Sequence, residues 1–579
     1  MEKIFLDDIE SVNKLINNPI DSMFKLTAIN NLKYKHNIDN NSYIGGYLND
    51  ILADKKNGTV YTPKDIADYI IKNTITKDDI VNNPFIKILD PSCGCGNILI
   101  PIFTYIKSIY EENIEEINAI NSLDLDKNSI NKHILDNNIF GFDIDGFALN
   151  LFKIDIFSIA CYINSENIIK QDFLKEEEST KFDIIIGNPP YIGHKTISRD
   201  YSSYLKNNFK DVYKDKGDIS YCFFKKALVK LKDEGKVTFI TSRYFIESPS
   251  GEGLRNYLVE KSIITKIVDF YGIRPFKGKG IDSAIIFLVN TKNNKETTRI
   301  IRPKNYNKND FLKSLINNEE DKIKIYNVNI NLLDCSGWSL IDDISYNIVN
   351  KIKKKSSKNL GELCNSNQGI ITGLDKAFIV SEETIDCENL EEDIIRPWIK
   401  SSNISKNFLY RGNKYLIYSN HIKEEQQYPN IIKHLLEYKD RLNKRRECVK
   451  GYRKWYELQW GRVEDNFKDE KIIFPYKASE NRFFLDSGSF YSADIYSLKI
   501  KDGININYEY LQKLLNSKVY EFYFKTYGKK LGNTMYEYYP SYVERLAIPI
   551  DERFVIDNEN NIYEYFQFNR EEINLIENE

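Results

Sequence analysis

Short apolar runs alternate with helix-like stretches along the first half of the chain, from about residue 65 to residue 289. The apolar runs, each about as long as a strand, occupy residues 86–89, 139–142, 182–186, 237–240, 264–270 and 283–289. Between them, apolar residues recur at the three- and four-residue spacing of amphipathic helices. This alternation predicts a doubly wound, mostly parallel α/β sheet.

The chain on either side of this region follows other patterns. Residues 1–50 begin with helical apolar spacing at Ile9, Val12, Leu15 and Ile16, which predicts a short helical extension. After residue 289 the rhythm ends in a polar passage at 290–321, and the remainder mixes helix and strand without strand–helix–strand order. We therefore expect an extension at 1–50, a Rossmann-like α/β domain at 51–325 and a mixed α+β domain at 326–579.

The composition is that of a globular protein with more than one domain, since 42% of the 579 residues are hydrophobic and 28% are charged. No apolar run approaches the ~20 residues of a membrane-spanning helix, and the N-terminus lacks the apolar segment of a signal peptide. We expect a cytoplasmic protein with no membrane partner. The net charge of −3 does not indicate nucleic-acid binding, so a surface for such a partner requires segregated charge.

The eight cysteines include one close pair, Cys93 and Cys95, without CxxC or zinc-finger spacing. We expect reduced thiols and no metal site.

A glycine-rich turn follows the first predicted strand. Residues 87–97 read KILDPSCGCGN, and apolar spacing resumes at Ile98, so the turn joins a strand to a helix. It matches neither the phosphate loop G-x-x-x-x-G-K nor the dinucleotide fingerprint G-x-G-x-x-G. Asp90 at the strand end suits a ligand with a cationic amino group, such as S-adenosylmethionine. A turn without a ligand is the alternative.

Acidic residues also follow the next two strands. Asp143 ends the second strand, where a carboxylate can accept hydrogen bonds from ribose hydroxyls. Asp172 follows a predicted short strand at 168–170, where it can accept a hydrogen bond from the amino group of the cofactor's adenine. Each acid alone is more often a solvated loop residue. Three acids in this order favour S-adenosylmethionine.

The segment FDIIIGNPPY at 182–191 runs from an apolar strand into a stiff turn, because its two prolines remove two backbone donors. An aromatic amine is a poor nucleophile because its lone pair is delocalised into the ring. The Asn188 side chain and the Pro189 backbone carbonyl can accept both amine hydrogens and draw the lone pair out of conjugation. Tyr191, after Pro190, offers a flat face for a base extruded from a duplex. The alternative is a rigid turn without chemistry.

Four segments, Tyr61-Thr62-Pro63, 90–96, Asp143 and 188–191, match in order the motifs of gamma-class DNA adenine N6-methyltransferases. The chain resembles that family motif by motif over about residues 58–289. The resemblance implies a class I methyltransferase domain at 51–325 and methyl transfer from S-adenosylmethionine to the N6 of a flipped adenine, with S-adenosylhomocysteine as product and no metal. It also implies that Phe276 faces the other side of the base.

The cofactor contacts expected from the turns and from this resemblance are Tyr61, Thr62, Pro63, Asp90, Ser92, Cys93, Gly94, Gly96, Asn97, Asp143, Ile144, Asp172, Phe173 and Asn188.

Cations and large aromatic residues are interleaved at 439–462. Cations suit phosphates and guanine edges, while aromatic rings stack or wedge between bases. A solvated basic helix is the alternative. We expect residues 326–579 to form a target-recognition domain for double-stranded DNA. The expected DNA contacts are His194, Lys195, Arg441, Arg445, Arg446, Arg453, Lys454, Trp455, Tyr456, Trp460, Arg462, Lys529 and Lys530.

The roughly 50 residues before the Tyr-Thr-Pro motif are too few for a nuclease domain. We therefore expect a stand-alone bacterial enzyme, monomeric, without an obligate protein partner, and associated with the nucleoid when bound to DNA. Two alternatives stay open. Asn-Pro-Pro-Tyr also serves methyltransferases of RNA or of protein glutamine, and a catalytically silent DNA-recognition subunit would retain the same fold.

Overall fold

The computed structural model describes residues 2–46, 62–193, 196–214, 217–276, 280–291, 297–304, 307–317, 319–329, 333, 337–532, 534–551 and 553–578. The chain forms two compact units, Met1–Leu340 and Ile341–Glu579. Within the described ranges, no helix combines the length and apolarity needed to cross a bilayer.

The first unit is built on a nine-stranded sheet. Its strands are β1 (Ile88–Asp90), β2 (Ile139–Asp143), β3 (Ile168–Lys170), β4 (Phe182–Gly187), β5 (Leu231–Ser242), β6 (Ile263–Asp269), β7 (Ser283–Val289), β8 (Thr297–Pro303) and β9 (Ile323–Asn329). The order is β3-β2-β1-β4-β5-β7-β6-β8-β9. β3, β2, β1, β4 and β5 are parallel, whereas β7 is antiparallel to both of its neighbours. The predicted α/β fold class and its six main strands are confirmed.

Side chains of the central strands alternate between two apolar layers. Ile184 and Ile186 of β4 belong to one buried cluster, and Ile185 between them belongs to the other. This alternation follows from the two-residue period of a strand, and it requires a cover of helices on both faces of the sheet. The helices are α1 (Glu2–Ile16), α2 (Ser22–Lys35), α3 (Lys64–Thr74), α4 (Lys77–Asn82), α5 (Leu99–Asn121), α6 (Ile130–Asn137), α7 (Gly146–Ala160), α8 (Arg199–Asn208), α9 (Ser220–Lys230), α10 (Tyr244–Glu247), α11 (Glu252–Lys261) and α12 (Lys308–Asn317).

The N-terminal helices pack on α7. Ile9 and Ile29 share a buried cluster with Leu151 and Ile154 of that helix. The buried carboxylate of Asp155 accepts hydrogen bonds from the backbone N–H groups of residues 44 and 45, both at 2.8 Å. The N-terminal segment is therefore fixed to the α/β unit.

The polar passage at 290–321, expected to close the α/β domain, contains β8 and α12. β8 does not read as an apolar strand, because the buried Thr298 and Ile300 alternate with the exposed Thr297 and Arg299 and only Ile300 and Ile301 are strongly apolar. The expected boundary after residue 325 falls inside β9, and the compact unit ends at Leu340.

The second unit is mixed α+β and contains several small sheets. Its strands are β10 (Lys358–Asn359), β11 (Cys364–Gln368), β12 (Ile379–Ser381), β13 (Ile395–Ile399), β14 (Lys414–Ile417), β15 (Lys471–Pro475), β16 (Lys477–Ala478), β17 (Phe484–Asp486), β18 (Phe490–Tyr491), β19 (Ile495–Ile500), β20 (Lys529–Leu531), β21 (Met535–Glu537) and β22 (Ala547–Ile548). They pair in the orders β11-β19-β15-β17, β12-β14-β13-β18, β16-β21-β20 and β10-β22.

The helices of this unit are α13 (Asp343–Lys355), α14 (Leu360–Leu363), α15 (Asp375–Phe378), α16 (Glu382–Glu388), α17 (Pro429–Leu436), α18 (Lys439–Asn443), α19 (Arg446–Val449), α20 (Asp465–Lys468), α21 (Tyr508–Asn516), α22 (Lys518–Tyr527), α23 (Pro540–Val543), α24 (Glu559–Phe566) and α25 (Arg570–Asn578).

Candidate functional site

The sheet of the first unit changes direction of growth between β1 and β4. β2 and β3 continue on one side of this pair and β5 on the other. Open α/β sheets bind ligands at such a switch point, beyond the carboxyl ends of the strands. Asp90, Asp143 and Asn188 lie at the carboxyl ends of β1, β2 and β4, so the fold brings the main predicted residues to one edge.

The glycine-rich turn after β1 is fixed by contacts with β2 and α7. The Gly94 N–H donates to Oδ2 of Asp143 at 2.8 Å, and the Cys93 N–H donates to the Phe142 carbonyl at 2.9 Å. Gly96 has φ +83°, and a Cβ there would lie 2.1 Å from the Phe152 ring. Glycine is required at position 96 both for its backbone conformation and for the close packing on α7.

The two cysteines of the turn are buried. Burial raises the pKa of the Cys95 thiol to about 12, and it raises the pKa of Cys93 as well. Both thiols are therefore neutral at physiological pH, which does not suit a metal ligand or a nucleophile. In the described ranges, no group of three or more His, Cys, Asp or Glu side chains is arranged to hold a metal ion.

Two carboxyl groups face the edge of the sheet at the ends of β1 and β2. Asp90 is 2% exposed, and burial together with the charge of Asp143 raises its pKa to about 8. Burial also raises the pKa of Asp143. Backbone N–H groups of residues 92, 94 and 145 donate to this pair. A cation placed beside them would favour their ionised forms.

The turn after β1 and the segment after β4 are in direct contact. Ser92 Oγ donates a hydrogen bond to the Asn188 carbonyl at 3.3 Å. A Cβ on Gly187 would lie 2.7 Å from Oδ1 of Asp90, so glycine at this position permits the close approach of β4. The predicted cofactor turn and the predicted methyl-transfer segment therefore lie in direct contact.

Asn188 and Tyr191 contact each other through their side chains. The Tyr191 hydroxyl donates to Oδ1 of Asn188 at 2.5 Å and to the Ile240 carbonyl of β5 at 3.2 Å. The Tyr191 ring also packs against Phe276, with ring centroids 6.0 Å apart and planes inclined by 49°. Phe276 is only 4% exposed. The structure brings these three predicted residues together, and Pro189, buried between Asn188 and Tyr191, keeps the turn short.

Other predicted cofactor residues take varied positions. Thr62 is buried, and the Pro63 carbonyl accepts the first hydrogen bonds of α3. Ile144, after Asp143, is 71% exposed, which is unusual for an isoleucine next to a cleft. Asn97 and Pro190 are half-buried. Tyr61, His194 and Lys195 lie outside the described residues.

The acid after β3 has a partner that the sequence did not indicate. Both oxygens of Asp172 accept hydrogen bonds from the Tyr201 hydroxyl, at 2.9 and 3.1 Å. Phe173 is 2% exposed and packs between Phe142 and Phe223 as a core residue.

A cavity of about 500 Å³ opens beside Asp143. The residues that line it are Ile144, Asp145, Gly146, Phe147, Leu149, Asn150, Lys153 and Lys170. Only Ile144 of this set was a predicted contact. The others lie on α7 or at the end of β3, and their sequence pattern is that of an ordinary helix.

The basic segment of the second unit separates into outward and inward residues. Arg441, Arg446, Lys454, Trp460 and Arg462 are exposed. Arg453 is half-buried and lies 6.0 Å from the Trp460 ring. Three exposed residues of this surface were not predicted as contacts: Lys444, Lys450 and Tyr452, the last of which is 73% exposed.

Arg445 differs from the expectation of a DNA contact. Its guanidinium donates to the backbone carbonyls of Thr372, Leu442, Trp455 and Glu457, at 2.8 to 3.0 Å. These bonds use most of its five donors, so Arg445 holds the basic segment in shape from inside.

Other predicted contacts also turn inward or toward neighbours within the unit. Tyr456 and Lys530 are 2% and 3% exposed. Lys529 pairs with Glu537 at 2.8 Å, and the Trp455 indole N–H donates to Glu425 at 3.2 Å. The spacing of cations along the chain did not indicate which of them point inward.

Comparisons with known proteins fit the two units. Residues 137–276 match the family described as Eco57I restriction-modification methylase, and residues 397–550 match the TaqI-like C-terminal specificity domain. The first match lies within Met1–Leu340 and the second within Ile341–Glu579. The resemblance drawn from the motifs is confirmed at this level.

Relatives span most of the chain. It is 26% identical over 555 residues to the type II methyltransferase M.BanIII of Aneurinibacillus aneurinilyticus, covering 86% of this chain and 90% of the relative. It is 23% identical over 571 residues to the type II methyltransferase M.BstVI of Geobacillus stearothermophilus, covering 90% and 98%.

One solved structure is similar over most of the fold. It is that of the type IIL restriction-modification enzyme MmeI in complex with DNA, with a TM-score of 0.55, 14% identity, and coverage of 92% of this chain and 70% of that one. At this identity the similarity supports the architecture alone.

Proposed function

We propose that the protein transfers a methyl group from S-adenosylmethionine to the N6 of an adenine flipped out of double-stranded DNA, and that its specificity region reads the surrounding sequence. The observation that carries this proposal is the contact between the acidic turn after β1 and Asn188 after β4. The names of the relatives, type II methyltransferases, support the substrate class.

The residues at the ends of β1 and β2 fit S-adenosylmethionine. The buried Asp90 and the partly buried Asp143 have raised pKa values, and a cationic ligand would relieve their mutual repulsion. The exposed Ile144 offers an apolar face for an adenine ring. When bound, the ligand supplies a methyl group that its sulfonium already activates.

Asn188 holds the acceptor amine. Its Oδ1 accepts the hydroxyl of Tyr191, so this oxygen is directed toward the space next to the Tyr191 ring. An exocyclic amine there would donate one hydrogen to Oδ1 and the other to the Pro189 carbonyl. The lone pair of the amine would then leave conjugation with the ring and point along the line of attack. Asn188 and Pro189 would thus contribute to catalysis by orienting the amine and by presenting fixed dipoles to it.

Tyr191 and Phe276 form the two faces of the base site. A base stacked between two parallel rings needs about 7 Å between them, twice the ~3.4 Å spacing of stacked bases. The present separation of 6.0 Å and the 49° inclination are too small and too steep. The rings must therefore part and turn as the adenine enters, and the Tyr191 hydroxyl must release Asn188.

The exposed cations Arg441, Arg446, Lys450 and Arg462, with Tyr452 and Trp460 among them, form the proposed DNA surface of the specificity region. Cations contribute phosphate contacts, and aromatic side chains can stack on or wedge between bases. This segregated patch accounts for DNA binding by a chain whose net charge is −3.

Methyl incorporation separates this proposal from its alternatives. With labelled S-adenosylmethionine, the purified protein should label unmethylated plasmid DNA, and digestion should return N6-methyladenine. Labelling of ribosomal RNA or of a protein glutamine instead would replace the proposed substrate, and no labelling would favour a silent recognition subunit. Asn188→Ala should abolish methylation while DNA binding persists. Asn208→Ala, on the exposed end of α8, is the control that keeps activity.

A further inference from the structure

Phe276 lies in the loop between β6 and β7, and the first part of this loop, residues 270–276, has an unusual backbone. Tyr271 has φ +44° and is followed by Gly272 at φ +96°. A left-handed conformation is uncommon for a residue with a side chain, and it persists where surrounding contacts fix it.

The contacts at the start of the loop come from a buried ionic cluster. The Tyr271 N–H donates to Oδ1 of Asp269 at 3.0 Å. The same carboxylate pairs with Arg243 and with Arg302, each at 2.8 Å, and the Arg302 guanidinium lies 4.1 Å from the centre of the Tyr271 ring. Burial would raise the pKa of Asp269, but the two arginines outweigh it and lower this pKa to about 2. The cluster is therefore charged throughout the physiological range.

The end of the loop is held by the helix that follows β8. Lys308, the first residue of α12, donates from Nζ to the Pro275 carbonyl at 2.6 Å. Pro275 immediately precedes Phe276. Phe311, one turn further along α12, packs edge-on against Phe270 with ring centroids 5.5 Å apart. Residues of β8 and α12 thus contact this loop at two places, around Phe270 and at Pro275.

We infer that Arg302 and Lys308 are positioning residues that hold the backbone at Phe276, so that only its ring turns to form one wall of the base site when the base enters. This inference rests on the proposed function, since Phe276 matters to the reaction only if a base enters beside Tyr191. Loss of either contact would leave the proposed S-adenosylmethionine site intact, because Asp90 and Asp143 lie on other strands. The backbone that carries Phe276 would then shift, so its ring would no longer turn into the position that the incoming base requires.

A double-mutant cycle tests the inference in the full-length protein. Lys308→Met removes the donor but keeps the length of the side chain, and Lys308→Arg restores a donor. Lys313→Met, on the exposed face of α12, is the matched control. The assay measures kcat and KM for unmethylated plasmid DNA, with calorimetry for the Kd of S-adenosylmethionine.

Lys308→Met should lower kcat/KM for DNA about tenfold, since a displacement of ~1 Å near a reacting group can cost up to ~100-fold. The Kd of S-adenosylmethionine should stay within about twofold, Lys308→Arg should recover most of the loss, and Lys313→Met should match the wild type. In a Phe276→Ala background, the effect of Lys308→Met should shrink to less than about twofold, because its target is gone.

An equal loss in both backgrounds, or no loss at all, would overturn the inference. If Lys308→Met does not fold, as judged by lost cofactor binding, the same cycle is run with Arg302→Lys, which keeps the charge but not the two-pronged contact with Asp269. Failure of the proposed function is a separate outcome, because then the wild type itself would place no methyl group on the plasmid.

Discussion

The raised pKa of Asp90 makes a quantitative prediction about cofactor binding. A carboxyl with a pKa of about 8 is only about 1% ionised at pH 6 and half ionised at pH 8. If the cationic ligand binds the ionised form, each pH unit below 8 should weaken binding by up to tenfold. The Kd of S-adenosylmethionine should therefore be roughly 50-fold higher at pH 6 than at pH 8.

A bound cation should lower the raised pKa of Asp90. Binding at pH 7 should therefore release close to one proton per ligand. Calorimetry in buffers of different ionisation enthalpy measures this number directly. Asp90→Asn should bind the ligand more weakly at pH 8, without proton release from this site. Asp233→Asn, at the exposed far end of β5, should behave as the wild type.

Equal proton release by the wild type and by Asp90→Asn would refute this reasoning, as would a Kd that does not change between pH 6 and pH 8. The same carboxyl also affects the ligand-free fold. Its folded-state pKa lies above the unfolded value, so it reduces stability as the pH rises from about 4 to about 8. The ligand should therefore raise the melting temperature more at pH 8 than at pH 6.

Three further outcomes are expected. Tyr191→Phe keeps the stacking face and should leave kcat/KM within about threefold of the wild type. Tyr191→Ala should lower kcat/KM about 5- to 150-fold, which corresponds to the ~1–3 kcal/mol of one stacked base. Equal losses for the two variants in single-turnover assays would contradict the stacking role. Arg445→Gln should lower the unfolding free energy by roughly 1–3 kcal/mol, because it leaves buried carbonyls unpaired. Arg446→Gln should leave thermal stability unchanged and reduce the slope of log Kd against log salt for DNA by about one; the opposite assignment of these two effects would show that the inward and outward roles are reversed. Gly96→Ala should lower the unfolding free energy by about 2–4 kcal/mol, because the added Cβ overpacks against Phe152 and the backbone is strained. It should also abolish cofactor binding. A crystal structure of the variant with an unshifted turn would contradict this explanation.

Sequence patterns located the strands that carry the site because those strands are buried on both faces. β1, β4 and β7 read as short apolar runs; β1 ends at Asp90, and β4 ends one residue before Asn188. β8 escaped detection because only Ile300 and Ile301 of its seven residues are strongly apolar, so the strand resembles a polar linker. The boundary between the domains was consequently placed within β9 rather than after Leu340.

Side-chain direction could not be predicted in the same way. Arg445 and Arg446 are neighbours with the same charge, yet one is bonded inward to four carbonyls and the other is exposed. The fold of the basic segment, which supplies three of the four carbonyls, and the position of Thr372 distinguish them. Likewise, the motif specified Asn188 and Tyr191 as residue types, while the hydrogen bond between them depends on β5 supplying the Ile240 carbonyl as a second acceptor.

β1 and β4 are hydrogen-bonded neighbours, so the strand ends that lead to Asp90 and to Asn188 lie one inter-strand spacing of ~4.8 Å apart. The hydrogen bonds between β1 and β4 fix the alignment of these two strand ends, whatever the length of the loops that connect the strands. Every group assigned to the chemistry also precedes Leu340. On the proposed function, exchanging residues 341–579 for those of a relative should change the recognised sequence while the residues assigned to the chemistry keep their alignment.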